Sequence, residues 1–272
     1  VTPIMPDLSF KPNSLCSKFG YVVAGGQRSQ LVVKNLVGGR SHTVSLGGSI
    51  NNSMGMYRTD TGIRLLVSNN DESVKVYSLS GMDHIVDIAI PFAVNNTAVS
   101  PDNRTMLVVG DSKVGLFYDI RGGTYTRTTS FNACQNAAFS CNWNYAGDKV
   151  AVACQDGSIA VWDMKYLSKP LTSISSSQSP NTSGACRGVK FSHSSSMDLL
   201  VFTEHESLVH VVDTRAYVEK QTLRPSPDLT QGVAGVTFSS DAKKLFVAME
   251  CGVYEYAIDT MQRRRFAAGG LL

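Results

Sequence analysis

The segment Thr203-Glu204-His205-Glu206-Ser207 is the one place in this 272-residue chain where a histidine stands between two carboxylates. Such a trio could act as an acid–base pair or lend ligands to a metal. Successive residues on a strand point to opposite sides, so at most two of the three can converge. A turn holding a charge-paired histidine is the plainer reading. No Ser/His/Asp order, glycine-rich phosphate loop or HExxH motif occurs. The six cysteines (Cys16, Cys134, Cys141, Cys154, Cys186, Cys251) contain no CxxC pair. They read as free thiols, buried or half-buried, in a reducing compartment. Cys134 and Cys186 each stand five residues before a phenylalanine, Phe139 and Phe191, but two thiols without a second ligand pair do not make a zinc site. The expectation is a protein without catalytic activity, metal or cofactor.

What must position any functional residue is a phrase repeated six times: an apolar strand, a short polar turn, and a second apolar strand often ending in Asp. The copies are 21–35, 64–78, 106–119, 150–163, 199–213 and 245–259, and their last residues are spaced by 43, 41, 44, 50 and 46. A period in the low-to-mid forties with several strands per unit is that of a WD40-type β-propeller blade. The fourth copy shows the unit best. CQNAAFS is followed by a turn at NWNYAGD, then KVAVACQ, a tight DGS turn, IAVWDM and a looser LTSIS. Asp156-Gly157 fits a short hairpin, and VSPDN (99–103) and FSSDAK (238–243) read as turns between first and second strands. No amphipathic helix is apparent. The chain is therefore all-β, one propeller domain over 1–272, with six repeats countable and six or seven blades of four antiparallel strands. MQRRRFAAG (261–269) is the best candidate for a last outer strand, its three arginines a solvated edge.

Composition agrees with this class. Apolar residues make up 43% and charged residues 17%, enough for a large core. A net charge of +3 is too small to point to nucleic acid or an anionic membrane as partner, and no run approaches the length of a membrane span. No secretory signal is visible, although the chain starts at Val1, so the protein is expected inside the cell, cytoplasmic or nuclear. The sequons at Asn51, Asn95, Asn103 and Asn181 are then incidental. The longest interval contains the Ser-rich loop SISSSQSPNTSG (173–184). Ser179 there and Ser226 in LRPSPDL precede proline and are candidate phosphorylation sites.

VWD (161–163) after QDGS resembles the end of a WD40 repeat, while FYD, VVD and AID in other copies depart from it. The Gly-His pair that precedes first strands in that family is absent from every copy, so its His–Asp network does not carry over. GACRGVKFSHSSSMDLLVFTEHESLVHVVDTRAYVEKQTLR (184–224) resembles the signature block of a fungal and plant WD-repeat family, DUF2415. PDLSFKPNSLCSKFGYVVAGGQ near the start is similar too. The resemblance implies a propeller, no enzymatic activity and an adaptor role. It implies no site residues.

In a propeller, first-strand starts and the turns between second and third strands share one face. The polar residues there are Asn52, Asn96, Gln135, Asn136 and Arg187 at strand starts. Asn70, Gln155, Glu204, His205 and Glu250 stand at second-strand ends. Paired amides also occur as Asn51-Asn52, Asn69-Asn70 and Asn95-Asn96. Amides beside one Arg, one His and carboxylates could pair the backbone of an extended peptide, although Asn and Gln also simply satisfy turns. Two residues beyond the terminal Asp, Arg121, Lys165 and Arg215 mark the opposite face. The D-x-R arrangement resembles that of propellers that serve cullin-type ubiquitin ligases as substrate receptors; an ion pair within the blade is the alternative. The leading expectation is a non-catalytic scaffold for a protein or peptide partner. A ubiquitin-ligase substrate receptor is the sharper version, and a propeller enzyme or small-ligand binder near Glu204 and His205 is the alternative of another class.

Overall fold

The computed structural model describes residues 4–5, 8–176, 184–194, 197–205, 208–228 and 231–259. Among them, every repeat forms an antiparallel meander. β1 (Pro12–Lys18), β2 (Tyr21–Gly26), β3 (Gln30–Asn35) and β4 (Ser41–Ser45) make blade 1. β5 (Asn51–Thr59), β6 (Gly62–Asn69), β7 (Ser73–Ser78) and β8 (Asp83–Ala89) make blade 2. Blade 3 is β9 (Val94–Val99), β10 (Thr105–Gly110), β11 (Val114–Arg121) and β12 (Thr124–Asn132). Blade 4 is β13 (Ala138–Trp143), β14 (Lys149–Cys154), β15 (Ser158–Asp163) and β16 (Thr172–Ser175). β17 (Cys186–Phe191), β18 (Leu199–Glu204), β19 (Val209–Asp213) and β20 (Lys220–Leu223) form blade 5. Blade 6 has three strands, β21 (Val233–Phe238), β22 (Lys244–Met249) and β23 (Gly252–Ala257).

The repeated phrase is thus the β2–β3 hairpin and its five counterparts, and the all-β propeller class read from the period is the class found. The structure gives six blades among the described residues; the stretch 261–269, read as an outer strand, lies outside them. The chain separates into two compact units, Val1–Asn132 with blades 1–3 and Ala133–Leu272 with blades 4–6.

Within each unit the core lies in layers between successive blades. Leu31, Val33, Leu65 and Val67 meet between blades 1 and 2. Val74, Val76, Met106 and Val108 do so between blades 2 and 3. In the second unit, Val161, Ile159, Leu200 and Phe202 pack blades 4 and 5, and Val201, Val209, Leu245 and Val247 pack blades 5 and 6. Middle strands are covered on both faces, so they read as unbroken apolar runs; Met106 to Val109 are all fully buried.

The turns follow their sequences. Ser100 Oγ donates to Asp102 Oδ1 (2.6 Å), which also accepts the Arg104 N–H (3.1 Å). Ser239 and Asp241 repeat the arrangement with the Lys243 N–H. Gly157 turns with φ +84°, as the Asp-Gly hairpin requires.

The cysteine expectation needs correcting. Cys134 and Cys154 form a disulfide, with Cα atoms 5.8 Å apart. The antiparallel register pairs Ala138 with Cys154, so the segment entering β13 folds back over the end of β14. Spacing along the chain, with no CxxC, does not reveal that proximity. Cys16, Cys141, Cys186 and Cys251 are not disulfide-bonded.

Candidate functional site

Every first strand carries one extra residue near its start. The register skips Asn13, Asn52, Asn95, Phe139, Arg187 and Ala234, one in each blade. A β-bulge of this kind leaves its extra residue unpaired in the ladder and re-aims its side chain. The residue before each bulge faces the last residue of the second strand: Gly26, Asn69, Gly110, Cys154, Glu204 and Met249. All six of these are buried. The next residue in the chain begins the turn: Gln27, Asn70, Asp111, Gln155, His205 and Glu250, all exposed. One register position is therefore buried in each blade, and the next presents a side chain at the surface.

In the first unit these positions build a polar site in two tiers. The lower tier is closed: Ser29, Asn51 and Asn69 are fully buried. Asn69 Nδ2 donates to Ser29 Oγ (2.8 Å) and Asn51 Oδ1 (3.0 Å), and Ser29 Oγ donates to Asn51 Oδ1 (3.1 Å). Asn51 Nδ2 donates to the Gln30 carbonyl (2.9 Å), and Asn69 Oδ1 accepts the N–H groups of Ser49 and Asp71. These amides satisfy turns, and they tie blade 1 to blade 2.

The upper tier is open. Asn52 Nδ2 donates to the Val94 carbonyl (2.9 Å) and Asn70 Oδ1 (3.1 Å), with Asn95 Oδ1 at 3.4 Å. Asn95 Nδ2 in turn donates to Asp111 Oδ1 (2.8 Å). Asn70, Asn52, Asn95 and Asp111 thus form a ladder across blades 2 and 3. At its outer side Asn70 Nδ2, Asn52 Oδ1 and Asp111 Oδ2 carry no hydrogen-bond partner among the described residues. One donor, one acceptor and one anionic acceptor stand fixed, because the opposite end of each group is already held. The neighbouring Asp71 is occupied by buried Lys75 at 3.0 Å. Burial works against that ammonium, but its hydrogen bond to Asp71 and the Asp71 and Asp87 charges together outweigh it, so its pKa rises.

Asn96 sits in register opposite Val109, and Asn95 takes the bulge in its stead. Asp111 was missed by sequence reading, although it occupies the position of Asn70 and Gln155 in the repeat.

In the second unit the expected residues are differently placed. Gln135 and Asn136 are exposed on the loop held by the Cys134–Cys154 disulfide, and Gln155 is exposed with its N–H on the Ala137 carbonyl (2.9 Å). Arg187 rises from its bulge, its guanidinium 5.8 Å from the ring of Phe139, the bulge residue of the preceding blade. His205 and Glu250 are exposed. Glu204 is not on that surface. It is the buried residue of the register pair, and its Oε1 meets Nε2 of buried His210 at 2.5 Å. His210 Nδ1 lies 2.9 Å from Thr222 Oγ1, and its ring stacks on Phe202 at 4.6 Å. The histidine that meets a carboxylate is therefore His210, not His205, and Glu206 lies outside the described residues. The turn starts one residue later than the sequence suggests. Cys186, opposite Glu204, is a fully buried thiol pushed up to about 12 by burial and then by the Glu204 and Asp156 carboxylates. Among the described residues no group of three His, Cys, Asp or Glu could hold a metal ion.

The basic residues after the third strands pair within their own blades. Arg121 Nε is 2.6 Å from Asp119 Oδ2, and Arg215 grips Asp213 with Nε and a terminal guanidinium nitrogen. Lys165 is exposed; its N–H donates to Asp163 Oδ1 (2.8 Å). Ser226 is 3% exposed, and its hydroxyl accepts the Asp228 N–H (3.1 Å), so a kinase would have to open that turn. Ser179 lies outside the described residues.

Comparison with known proteins finds one family match and relatives in two yeasts. Residues 184–224 match the family described as an uncharacterised protein domain, DUF2415. A Schizosaccharomyces pombe protein, "Uncharacterized protein C4G3.03", is 32% identical over 283 residues, covering all of this chain and 81% of its own length. A Saccharomyces cerevisiae protein, "Uncharacterized protein YLR149C", is 28% identical over 220 residues, covering 66% of this chain and 30% of its own length.

Proposed function

The chain belongs to the DUF2415 family together with the fission yeast protein, and for this member we propose a non-catalytic role: a scaffold that holds an extended peptide segment of a protein partner on the Asn70–Asn52–Asn95–Asp111 ladder. The observation that carries the reading is the pair of fixed, unsatisfied amide groups at the open side of that ladder. A peptide unit offers one C=O and one N–H, which Asn70 Nδ2 and Asn52 Oδ1 complement. Their rotamers are held by the ladder itself, so little side-chain entropy is lost on binding. Asp111 adds preference for a positive charge beside that peptide unit.

The test is partner capture with the full chain, followed by peptide arrays tiled over whatever is captured. Asn52→Ala/Asn70→Ala is compared with wild type after thermal unfolding has verified both folds. Peptides that bind wild type and are lost from the double variant support the ladder. An unchanged set of bound peptides sinks it.

A second reading is a substrate-receptor subunit of a ubiquitin ligase. The observation that favours it is the Asp–Arg pair at the third-strand ends, Asp119–Arg121 and Asp213–Arg215. Arg121→Ala/Arg215→Ala would then lose ligase subunits while keeping ladder peptides. Retention of the ligase, or its absence from wild-type captures, counts against this version. The small-ligand or enzyme alternative draws no support from Glu204 and His205 together, since Glu204 is buried and His205 exposed.

A further inference from the structure

Blade 4 closes its rim differently from blades 2 and 3. In all three, the residue after the second strand donates its N–H to the carbonyl of the residue before the first strand. Asn70 donates to Ile50 (3.0 Å), Asp111 to Ala93 (3.0 Å) and Gln155 to Ala137 (2.9 Å). Blades 2 and 3 close with no cross-link, since residues 51–132 contain no cysteine. Blade 4 adds the Cys134–Cys154 bond at the same place.

The cross-link is therefore not what makes a blade. β14 is paired with β13 on one side and β15 on the other, and Cys154 belongs to that ladder opposite Ala138. Cys134 lies outside any strand, on the loop that leads into β13. Among the described residues, 134–137 hold one hydrogen bond, from the Gln155 N–H, and the disulfide. Breaking the disulfide leaves the ladder and the common rim bond in place. What it releases is the segment carrying Gln135 and Asn136, both exposed. Access favours one end of the bond. Cys134 is half-buried and Cys154 fully buried, so an incoming thiolate meets the Cys134 sulfur. Cys186 does not compete for the bond, because burial keeps its thiol protonated.

We propose that Cys134–Cys154 is a reversible thiol–disulfide exchange site, at which a small thiol of the glutathione class decides whether Gln135 and Asn136 are fixed at the rim. The reductant's thiolate bonds to the Cys134 sulfur as the Cys134–Cys154 bond breaks, and Cys154 leaves and takes up a proton. A second reductant thiolate then displaces Cys134, which is protonated in turn. Two electrons and two protons have passed to the protein, and the reductant ends as its own disulfide. Oxidised glutathione runs the same steps backwards. The site lies in the second unit and owes nothing to the amide ladder of the first.

The test equilibrates the full chain in mixtures of reduced and oxidised glutathione. Acid quenching, alkylation and mass spectrometry read the state of each cysteine, and hydrogen exchange reads the backbone. Cys134 and Cys154 are expected to convert together and to return when the mixture is reversed. On reduction the amides of 135–137 should exchange at least tenfold faster, while those of β14 and β15 change by less than about twofold. Cys134→Ser, at a half-buried loop position, should show the fast loop exchange in every mixture. The proposal is overturned by a bond that yields only in denaturant, or by one that never forms in oxidised glutathione. Loop exchange that is unchanged on reduction overturns it as well. So does loss of protection throughout blade 4, which would make the bond a structural staple.

Discussion

At the scale of single residues, burial decides which polar contacts matter. Glu204 and His210 are both fully withdrawn from water and depend on each other. Breaking such a pair strands one partner, so Glu204→Ala should cost about 3–5 kcal/mol. The double variant Glu204→Leu/His210→Phe should recover most of that, because it removes both polar groups while keeping the volume. Urea unfolding of the three proteins checks this; a single variant as stable as wild type would contradict it. Arg121, 84% exposed beside Asp119, represents the opposite case, and Arg121→Ala should change stability by less than about 1 kcal/mol. Tyr217→Phe should be neutral to stabilising by about 1 kcal/mol, since its hydroxyl is buried without a partner. None of this distinction was available from residue types. The sequence shows Glu204, His205 and His210 within seven positions, and only the strand register tells which of them face one another.

At the scale of elements, the hairpin phrase was legible because its period is long, regular and rich in β-branched residues. The bulge that follows from it was not. It carries no residue type of its own: Asn, Phe, Arg and Ala all occupy it. That is why residue types alone do not separate Asn95 from Asn96, or show that Glu204 faces into the blade. The bulge leaves its imprint instead on the facing residue. A Cβ on Gly110 would lie 2.0 Å from the Ala93 carbonyl oxygen, so Gly110→Ala should destabilise blade 3 by about 1–3 kcal/mol. Denaturant unfolding should show this against Gly235→Ala, where a Cβ meets nothing within 4 Å. The Ser-x-Asp turns add a pH dependence. The Ser100 hydroxyl bond, against the opposing effect of burial, and the Arg104 N–H hold Asp102 below the usual carboxylate range. A carboxyl depressed in the folded state contributes stability that is present above the unfolded pKa of about 4 and is lost as pH falls through the folded value. Asp102→Asn should therefore flatten the acid limb of the stability profile, and an unchanged slope would remove the turn from the account.

At the scale of the whole molecule, two three-blade units, each with its own interblade core, imply two unfolding events rather than one. The disulfide offers a way to separate them, because both cysteines belong to the second unit and none of the first unit's residues is cross-linked to it among the described residues. Cys134 and Cys154 are 20 residues apart, and closing a loop of that size restricts the unfolded chain by about 3 kcal/mol. Cys134→Ser, or a reducing agent, should thus lower the melting temperature of the second unit by several degrees and leave the first where it was. Calorimetry with hydrogen exchange would assign each transition to its blades. The loop that presents Gln135 and Asn136 should lose protection first, since the cross-link ties its start to β14. If reduction shifts a single transition that protects all six blades together, the two units do not unfold separately, and the disulfide is then a constraint on the entire chain.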